Sequence, residues 1–509
     1  MSISRRLEWL VPFGAAVALL LATCIVSPHT PMWLDEVYSY YGVAHPDAGS
    51  LLESYRTNVN AVPPLYIFGI WAVTKAFPLS VLLLRVGSTL GCIAAVFLVW
   101  ATLRRHVGFV AASLATLGVL LTSGLFLFHS SEARFYGLYV GLMAWTVYNY
   151  DRLCAESRPS TRRLGLNAAS HALAVSCTHI AGCYSFAILL SLLLTDRARQ
   201  VWRPRVYASL LLGWIPVLFY LPMIWQQRSA TGWARRPGIT AAFHPVDFAF
   251  DGYFVAMIAA VLAGLVIWRR QRSVSGGVSR EQMPTRPADT GESALPLYVL
   301  SAAFLAVPYG FLLISWAGLP LLMDRYALPS LIGIVFLAGL AGRKLLGPGE
   351  ESSGEMPTGV GKWCRLLELS VTAGLLLVLT AYPVVSAIGI SRANQAREVA
   401  PHNRLPDPGV VMAASDHQSF FPRYHQSGEN HQIFWIVPNA GERDMWQRFN
   451  SRLNSVTVDD FLATHDHFLL VSNDAEKEWM EGELKKRGGF EITTQWRAGK
   501  GKVLDVKRR

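Results

Sequence analysis

The sequence contains little charge for its length. Only 16% of its 509 residues are charged, whereas 52% are apolar and the mean hydropathy is +0.30. A typical soluble domain carries about 25% charged residues. The composition therefore excludes an ordinary water-soluble enzyme and indicates a membrane protein.

Cysteine is also scarce. The 6 cysteines lie in or beside apolar runs or in basic loops, and residues 389–509 contain none. Their spacing matches neither a disulfide framework nor a zinc site. Positive charge is not concentrated on a polar fold, which argues against nucleic acid as a partner.

Long apolar runs fill most of the chain, and a helix needs about 17–25 such residues to cross the bilayer. The sequence predicts eleven spans, and basic residues between them predict their orientation. With a cytoplasmic N-terminus, the inner segments carry 21 Lys and Arg and the outer segments carry 8, as expected if cytoplasmic loops are enriched in these residues. The predicted spans lie near 9–27, 80–103, 109–128, 134–151, 164–179, 180–196, 205–222, 253–268, 295–317, 327–342 and 366–388.

The run Leu65–Phe77 is too short to cross and is predicted to be an interfacial helix that begins at Pro63-Pro64. Before it, a Ser50-x-x-Glu53 capping box predicts the start of a surface helix. The expected fold class is a polytopic α-helical membrane protein with about eleven transmembrane helices and a small C-terminal extracytoplasmic α/β domain. The expected domains are 1–388, with an outer catalytic loop at 28–79, and 389–509.

In that C-terminal domain, hydrophobic runs predict three buried strands, and helical spacing predicts one helix that ends at a Gly-Gly pair. The histidines beside these runs look superficially like metal ligands. Alternate residues of a strand point to opposite faces, so we interpret Asp416-His417 and His465-Asp466-His467 as solvated polar residues. The predicted elements are Gly409–Ala413, His431–Val437 and His467–Val471 for the strands and Ala475–Arg487 for the helix.

Ionisable groups cluster at the predicted outer turns. Taken singly, each has an ordinary explanation: a solvated loop, a local ion pair, a structural histidine or an interfacial anchor. Taken together, they share one membrane face, which favours a common functional site. They are Asp35 and Glu36 after the first span, His129, Glu132 and Arg134 in the second outer loop, His179 in the next hairpin, and Asp324, Arg325 and Tyr326 before the tenth span.

These turns carry five motifs in order: Trp33-Leu34-Asp35-Glu36-x-Tyr38, Pro63-Pro64-Leu65-Tyr66, Ser131-Glu132-Ala133-Arg134-x-Tyr136, Thr178-His179 and Arg325-Tyr326-x-Leu-Pro329. With them, residues 1–390 resemble the GT-C membrane glycosyltransferases. The resemblance is to the bacterial branch that groups with the protein O-mannosyltransferases of glycosyltransferase family 39 and the lipid A aminoarabinose transferase. The sequence departs from that branch at Val62, where many relatives have His, and at Ser131, where many have Gln.

The resemblance implies transfer of a hexose or pentose from a polyprenyl-phosphate donor, with inversion, to a hydroxyl of a lipid, glycan or protein. It also implies a multi-pass protein of the bacterial inner membrane, acting on the extracytoplasmic face. We expect Asp35 to be the base and Glu36 to orient it or the acceptor. The expected cations for the donor phosphate are Arg134, Arg325 and Arg85, and the expected substrate contacts are Trp33, Tyr38, Tyr66, Glu132, Tyr136, His179 and Tyr326.

Several alternatives stay open at this point. Glu132 either pairs with Arg134 or joins Asp35 in holding a divalent cation, Mg²⁺ or Mn²⁺. The aromatic rings fit a substrate wall and an interfacial belt equally well. A transporter or lipid flippase, or a membrane-anchored interaction protein, is the competing class. Transporters place polar groups near the bilayer midplane and often contain inverted repeats, which this sequence does not show, so we favour an enzyme.

Overall fold

The computed structural model of the protein describes residues 7–57, 59, 63–227, 237–238, 294–318, 321–346, 360–396, 409–472, 479–498 and 501–509. The predicted span at 253–268 lies outside these residues. The chain divides into two compact units. Unit 1 comprises Met1–Ile25 and Arg85–Ile388, and unit 2 comprises Val26–Leu84 and Gly389–Arg509.

Helices dominate the chain before the sheet. In chain order they are α1 (Leu10–Val26), α2 (Leu34–Val43), α3 (Ala48–Arg56), α4 (Pro64–Val73), α5 (Val81–Leu103), α6 (Phe109–Leu120), α7 (Gly124–Ser130), α8 (Tyr136–Ala155), α9 (Thr161–Cys177), α10 (Ala181–Ala198), α11 (Pro204–Leu212), α12 (Ile215–Gln227), α13 (Leu295–Trp316), α14 (Ser330–Leu346) and α15 (Val360–Ala396).

The apolar helices make this a multi-pass membrane protein. Within the described residues, 6 helices are long and apolar enough to cross a membrane, and 7 if α6 and α7, which meet at 74°, form one bent span. The remaining predicted spans in the described ranges also coincide with helices; they are 134–151, 164–179 and 327–342. The helical fold is thus as expected, while the count of eleven crossings stays a prediction.

Helix α9 is less apolar because it buries polar side chains inside unit 1. Asn167 donates a hydrogen bond to Ser209 Oγ at 3.0 Å, and His171 Nδ1 lies 2.6 Å from Ser185 Oγ. Trp214 donates to the same Ser185 hydroxyl at 2.6 Å. These bonds satisfy groups that could not face lipid, so low hydropathy here reflects an interior position in the bundle.

Some of the basic residues assigned to the inner surface are partners of buried carboxylates. Arg203 forms two hydrogen bonds with Asp196, at 2.9 and 2.7 Å, and Tyr207 OH donates to Asp196 at 2.7 Å. Asp151 likewise binds Arg105 and, at 2.6 Å, His106. Breaking a buried pair of this kind costs about 3–5 kcal/mol. These arginines therefore fix helix ends in addition to any effect on orientation.

Helices α5 and α8 touch through their backbones. A Cβ atom on Gly137 would lie 2.1 Å from the Ser88 carbonyl oxygen, and one on Gly91 would lie 2.4 Å from the Gly137 carbonyl. Gly141 approaches the Gly91 oxygen in the same way, at 2.4 Å. Small residues that allow backbones to approach are typical of packed membrane helices. Only glycine fits this crossing, which fixes the start of α8 against α5.

In unit 2, the predicted first outer loop forms helices α2, α3 and α4. Helix α3 begins at Ala48, because Asp47 caps it by accepting a hydrogen bond from Ser50 N at 2.9 Å. The prediction of a capping box at Ser50 is therefore wrong, since Asp47 supplies an equally strong N-cap earlier in the chain. Helix α4 starts at Pro64, as predicted, and Trp71 Nε1 donates to His45 O at 3.0 Å.

The C-terminal residues form a six-stranded mixed sheet of order β3-β2-β1-β4-β6-β5. Strands β3, β2, β1 and β4 are parallel, whereas β6 runs antiparallel to both β4 and β5. The elements are β1 (Met412–Ala414), α16 (His417–Gln426), β2 (Ile433–Val437), α17 (Ala440–Phe449), β3 (Ser455–Thr457), α18 (Val458–Thr464), β4 (His467–Ser472), α19 (Met480–Arg487), β5 (Phe490–Ala498) and β6 (Gly501–Arg508).

The two faces of the sheet have different cores. On one face, Phe461 of α18 and Leu484 of α19 pack with strand residues such as Leu470. On the other, aromatic side chains of α16 and α17 surround Trp435 of β2. The predicted small α/β fold is confirmed. Strands β3, β5 and β6 were not predicted, because β3 has only 3 residues and because β5 and β6 are rich in polar and charged residues rather than in long apolar runs.

Candidate functional site

The predicted site residues fall into two groups, one in each unit. Unit 1 contains Arg85, Glu132, Arg134, Tyr136, His179, Arg325 and Tyr326. Unit 2 contains Trp33, Asp35, Glu36, Tyr38 and Tyr66.

In unit 1, α5 holds the loop between α7 and α8 in place. Ser88 Oγ donates to the His129 carbonyl and Thr89 Oγ1 donates to the Ser130 carbonyl, both at 2.8 Å. Gly137 N in turn donates to Ser88 Oγ at 3.0 Å. These bonds satisfy the carbonyls at the end of α7, so the Glu132–Tyr136 turn is anchored at both of its ends.

Glu132 lies inside this turn with only 2% of its surface exposed. Its Oε2 atom forms a hydrogen bond with His129 Nδ1, and its carbonyl accepts from Arg134 N at 2.8 Å. The other carboxylate atom, Oε1, has no hydrogen-bond partner among the described residues. A buried acceptor of this kind is costly unless it is paired, and it can take a hydrogen bond from a substrate hydroxyl.

Tyr136, the first residue of α8, lies between a histidine and an arginine. Its ring centroid is 4.7 Å from that of His129, and the guanidinium of Arg325 lies 5.6 Å from it. Arg325 also lies 5.7 Å from the ring of Tyr326. Cation–π contacts at these distances are attractive. The structure thus brings together two motifs that are distant in sequence, those around Glu132 and Arg325.

Two more arginines and a histidine belong to unit 1. Arg85, in the first turn of α5, is 1% exposed, and Arg134 is buried with its guanidinium 5.4 Å from the Phe135 ring. His179 follows α9, whose last residue, Cys177, contacts the Phe135 carbonyl at 3.8 Å. Unit 1 therefore holds Arg85 and Arg134 away from water, where a charge attracts a nearby anion more strongly than in solvent. The third predicted cation, Arg325, is half-buried.

In unit 2, Asp35 and Glu36 lie in the first turn of α2. Negative charge is favourable there because the helix dipole presents its positive end. Glu36 is 2% exposed, and its Oε2 accepts a hydrogen bond from Trp33 N at 3.3 Å, so it caps the helix. Asp35 is half-buried. The geometry gives Glu36 a role in fixing the turn that carries Asp35.

The aromatic members of this group differ in surroundings. Tyr66 of α4 is buried, and Trp33 Nε1 is buried without a hydrogen-bond partner in the described part of the chain. Tyr38 lies among rings of α16 and α17 and forms a hydrogen bond with His417. Whether these rings contact a substrate stays a prediction.

The described residues do not fit a metal site. Within the described ranges, no group of 3 or more His, Cys, Asp or Glu side chains could hold an ion. His129 already binds one oxygen of Glu132. We therefore assign no step to the Mg²⁺ or Mn²⁺ considered above.

Unit 2 also contains an open cavity of about 300 Å³ beside the end of α1. None of the predicted site residues lines it. Its walls are Ser27, Pro28, His29, Thr30, Pro31, Met32, Val81, His425 and Gln426.

Some residues that hold the site in place were not predicted from the sequence. Ser88 and Thr89 fix the turn between α7 and α8, and His417, interpreted as solvated, contacts Tyr38. His129 was predicted as a site candidate, but its hydrogen bond with Glu132 was not. The Gly137-x-x-x-Gly141 spacing was a usable signal, because small residues at this interval are typical of close helix packing. For His417 there was no local signal, because its partner is 379 residues away in sequence.

No family model matches the sequence, and neither does any curated protein. Solved structures do match. The crystal structure of ArnT from Cupriavidus metallidurans bound to undecaprenyl phosphate is 13% identical, with a TM-score of 0.56 over 98% of both chains. The apo ArnT structure is 14% identical, with a TM-score of 0.54 over 98% of both chains.

A third structure is archaeal oligosaccharyltransferase AglB from Archaeoglobus fulgidus in complex with an inhibitory peptide and a dolichol-phosphate. It is 13% identical over 92% of this chain and 70% of that chain, and its TM-score of 0.38 is too low to indicate a shared fold. At 13% and 14% identity, the similarity to the ArnT structures is evidence for the fold alone. Over 98% of its length this chain has the fold of ArnT, which confirms the fold that the resemblance to the GT-C membrane glycosyltransferases implies.

Proposed function

We propose that this protein is an integral-membrane glycosyltransferase. It transfers a sugar from a polyprenyl-phosphate donor to an acceptor hydroxyl on the extracytoplasmic face of a bacterial inner membrane. The observation that carries the proposal is the set of arginines in unit 1. Arg85 and Arg134 are buried, as is Glu132, and the half-buried Arg325 lies over the ring of Tyr136, on a fold shared with a protein bound to undecaprenyl phosphate.

The arginines suit the leaving group of such a reaction. As the bond between the anomeric carbon and the phosphate oxygen breaks, the polyprenyl phosphate departs with negative charge. Fixed cations in a site of low dielectric stabilise that charge in the transition state. Arg134 and Arg325 are the assigned phosphate contacts and Arg85 is the third. Glu132, whose buried Oε1 has no hydrogen-bond partner among the described residues, is assigned to a substrate hydroxyl.

Asp35 is assigned as the base. It accepts the proton of the acceptor hydroxyl while that oxygen attacks the anomeric carbon from the side opposite the phosphate, so the configuration inverts. No second acid is required, because phosphate leaves as an anion without protonation, unlike the alcohol in glycoside hydrolysis. Support for this assignment comes from the position of Asp35 in a capped first helical turn, which fixes its direction.

The test uses the full chain reconstituted in liposomes with polyprenyl-phosphate sugars extracted from the native membrane. The acceptor is first identified as the lipid, glycan or protein whose sugar is missing in membranes of a strain that lacks the gene. We expect the protein to convert donor into free polyprenyl phosphate only when that acceptor is present. Movement of a labelled polyprenyl-phosphate lipid between leaflets without sugar transfer would favour a flippase and overturn the proposal.

A further inference from the structure

We propose that the C-terminal domain is a positioning device for the helix that carries Asp35, and that His417 is the residue through which it acts. This inference rests on the proposed function, because Asp35 is the base there. His417 is a positioning residue: it contacts Tyr38 of α2 and is not assigned to the reacting atoms.

The contact lies one helical turn beyond Asp35. Residues three apart on a helix lie on the same side, about 5–6 Å apart at Cβ, so Tyr38 follows Asp35 along one face of α2. The Tyr38 hydroxyl forms a hydrogen bond with His417 Nδ1. Its ring stacks on Trp446, with centroids 6.3 Å apart and planes at 16°, and meets Phe421 edge-on at 5.0 Å.

The next turn of α2 is held as well. Tyr41 is completely buried, and its ring lies 6.2 Å from Phe421 and 6.4 Å from Tyr424. Asn450 Nδ2 donates a hydrogen bond to the Tyr41 carbonyl at 2.9 Å. A helix fixed at two successive turns along one face cannot rotate about its axis, so the direction of its first turn is fixed too.

The location of His417 in the domain fits this role. It is the first residue of α16, directly after β1, and the strand order β3-β2-β1-β4 changes direction between β1 and β4. In doubly wound sheets, the carboxyl ends of the strands at such a reversal form the place where ligands bind. Here the helix that begins at the carboxyl end of β1 contacts a side chain of the same protein's α2.

Ion pairs contribute little to this coupling. Arg448 and Glu53 approach only to 4.0 Å, and both are well exposed. Exposed pairs of this kind are worth about 0–1 kcal/mol. The hydrogen bond of His417 and the packed rings of Tyr38 and Tyr41 are therefore the contacts to test.

The experiment compares wild type with His417→Ala and His417→Gln in the full chain. The matched control is His467→Ala, which removes a histidine of the same domain whose Nε2 binds Asp505 at 2.7 Å. Two quantities are measured: hydrogen exchange of the α2 amides, and the separate kcat and donor KM of sugar transfer. A double-mutant cycle with Tyr38→Phe asks whether the two side chains act as one unit.

We expect His417→Ala to raise amide exchange in α2 and to lower kcat at least tenfold with the donor KM unchanged. His417→Gln, which retains a hydrogen-bonding side chain, should recover most of both, and Tyr38→Phe should abolish the effect of His417→Ala. The control should behave as wild type. Unchanged α2 exchange or unchanged kcat in His417→Ala, with an active wild type, would overturn the inference alone. If the wild type showed no transfer activity, the proposed function would be overturned. Hydrogen exchange of the α2 amides would still test whether His417 holds this helix.

Discussion

The guanidinium of Arg325 lies over the ring of Tyr136, 5.6 Å from its centroid. This contact joins the short helical turn Asp324–Tyr326 to the first residue of α8, two segments that are far apart in sequence. It directs a cation toward the turn that contains Glu132. Arg325 is therefore the first residue at which we test phosphate binding.

Replacing Arg325 with Gln should weaken donor binding about 10- to 100-fold, the effect of losing one charge-assisted hydrogen bond of about 1.5–3 kcal/mol. The apparent affinity for polyprenyl phosphate in nanodiscs is the measurement. Arg205→Gln is a suitable control, because Arg205 belongs to α11 and is not a site residue. Equal affinity in Arg325→Gln and wild type would remove Arg325 from the phosphate site.

Asp35→Asn should leave the protein inserted and folded but lower kcat about 10²- to 10⁴-fold, the usual contribution of a general base. Asparagine keeps the shape of the side chain and still suits the start of a helix, so α2 should be preserved. Single-turnover transfer at saturating donor is the measurement. Turnover near that of wild type would show that another group takes the acceptor proton.

Gly137→Ala should destabilise unit 1, because its Cβ would lie 2.1 Å from the Ser88 carbonyl oxygen and one helix must move. Overpacking of this kind costs about 1–3 kcal/mol. Thermal unfolding in detergent is the measurement, and Gly310→Ala in α13 is the matched control, because nothing lies within 4 Å of its added carbon. If both variants unfold at the same temperature, the backbone contact between α5 and α8 is not as close as described.

Unit 2 should lose stability as pH falls from about 6.5 to 4. His417 is exposed overall, but the aromatic rings packed against its imidazole disfavour the charged form by desolvation and lower its pKa from 6.5 to about 4, against the opposing effect of Asp416. In this window the unfolded chain binds a proton that the folded unit does not, so protonation favours unfolding. Burial lowers the pKa of His45 and of His425 in the same direction.

The measurement is hydrogen exchange in β1, α16 and α2 of the full chain at pH 7 and pH 4.5. His417→Gln removes the titrating group and should reduce the difference between the two pH values. An identical difference in wild type and in His417→Gln would assign the pH dependence to other groups.

Local patterns predicted most of the helices but not the way they are held together. Apolar runs located α5 and α13 because burial and lipid exposure both require apolar side chains. The predicted start of α3 was wrong because Asp47 and Ser50 are both good N-cap residues and lie close together in sequence. The hydrogen bond from Ser50 N to the Asp47 side chain shows that Asp47 is the cap. His417 was interpreted as solvated, and it is exposed, but its contacts with aromatic rings could not be predicted because those rings are brought from elsewhere in the chain.

The residues of the candidate site were likewise predicted only in part. Motifs in the predicted outer turns singled out Glu132 and Arg325, because charged residues beside membrane spans are rare, and the structure places the two motifs next to each other. The hydrogen bonds of Ser88 and Thr89 to backbone carbonyls could not be predicted from the sequence. Hydroxyl side chains are common in helices, and their partners depend on how the helices pack.

The separation of 379 residues between Tyr38 and His417 has a consequence for how the protein is made. Ribosomes deliver α2 early, whereas the residues that pack against it, such as His417 and Phe421, are synthesised only after the intervening membrane helices. Until then, Tyr38 and Tyr41 cannot pack against the aromatic side chains of the C-terminal domain. Contacts between residues far apart in sequence also make folding slow. The newborn protein therefore passes through a stage in which its membrane helices up to α15 have been made but the helix bearing Asp35 is not yet packed against α16.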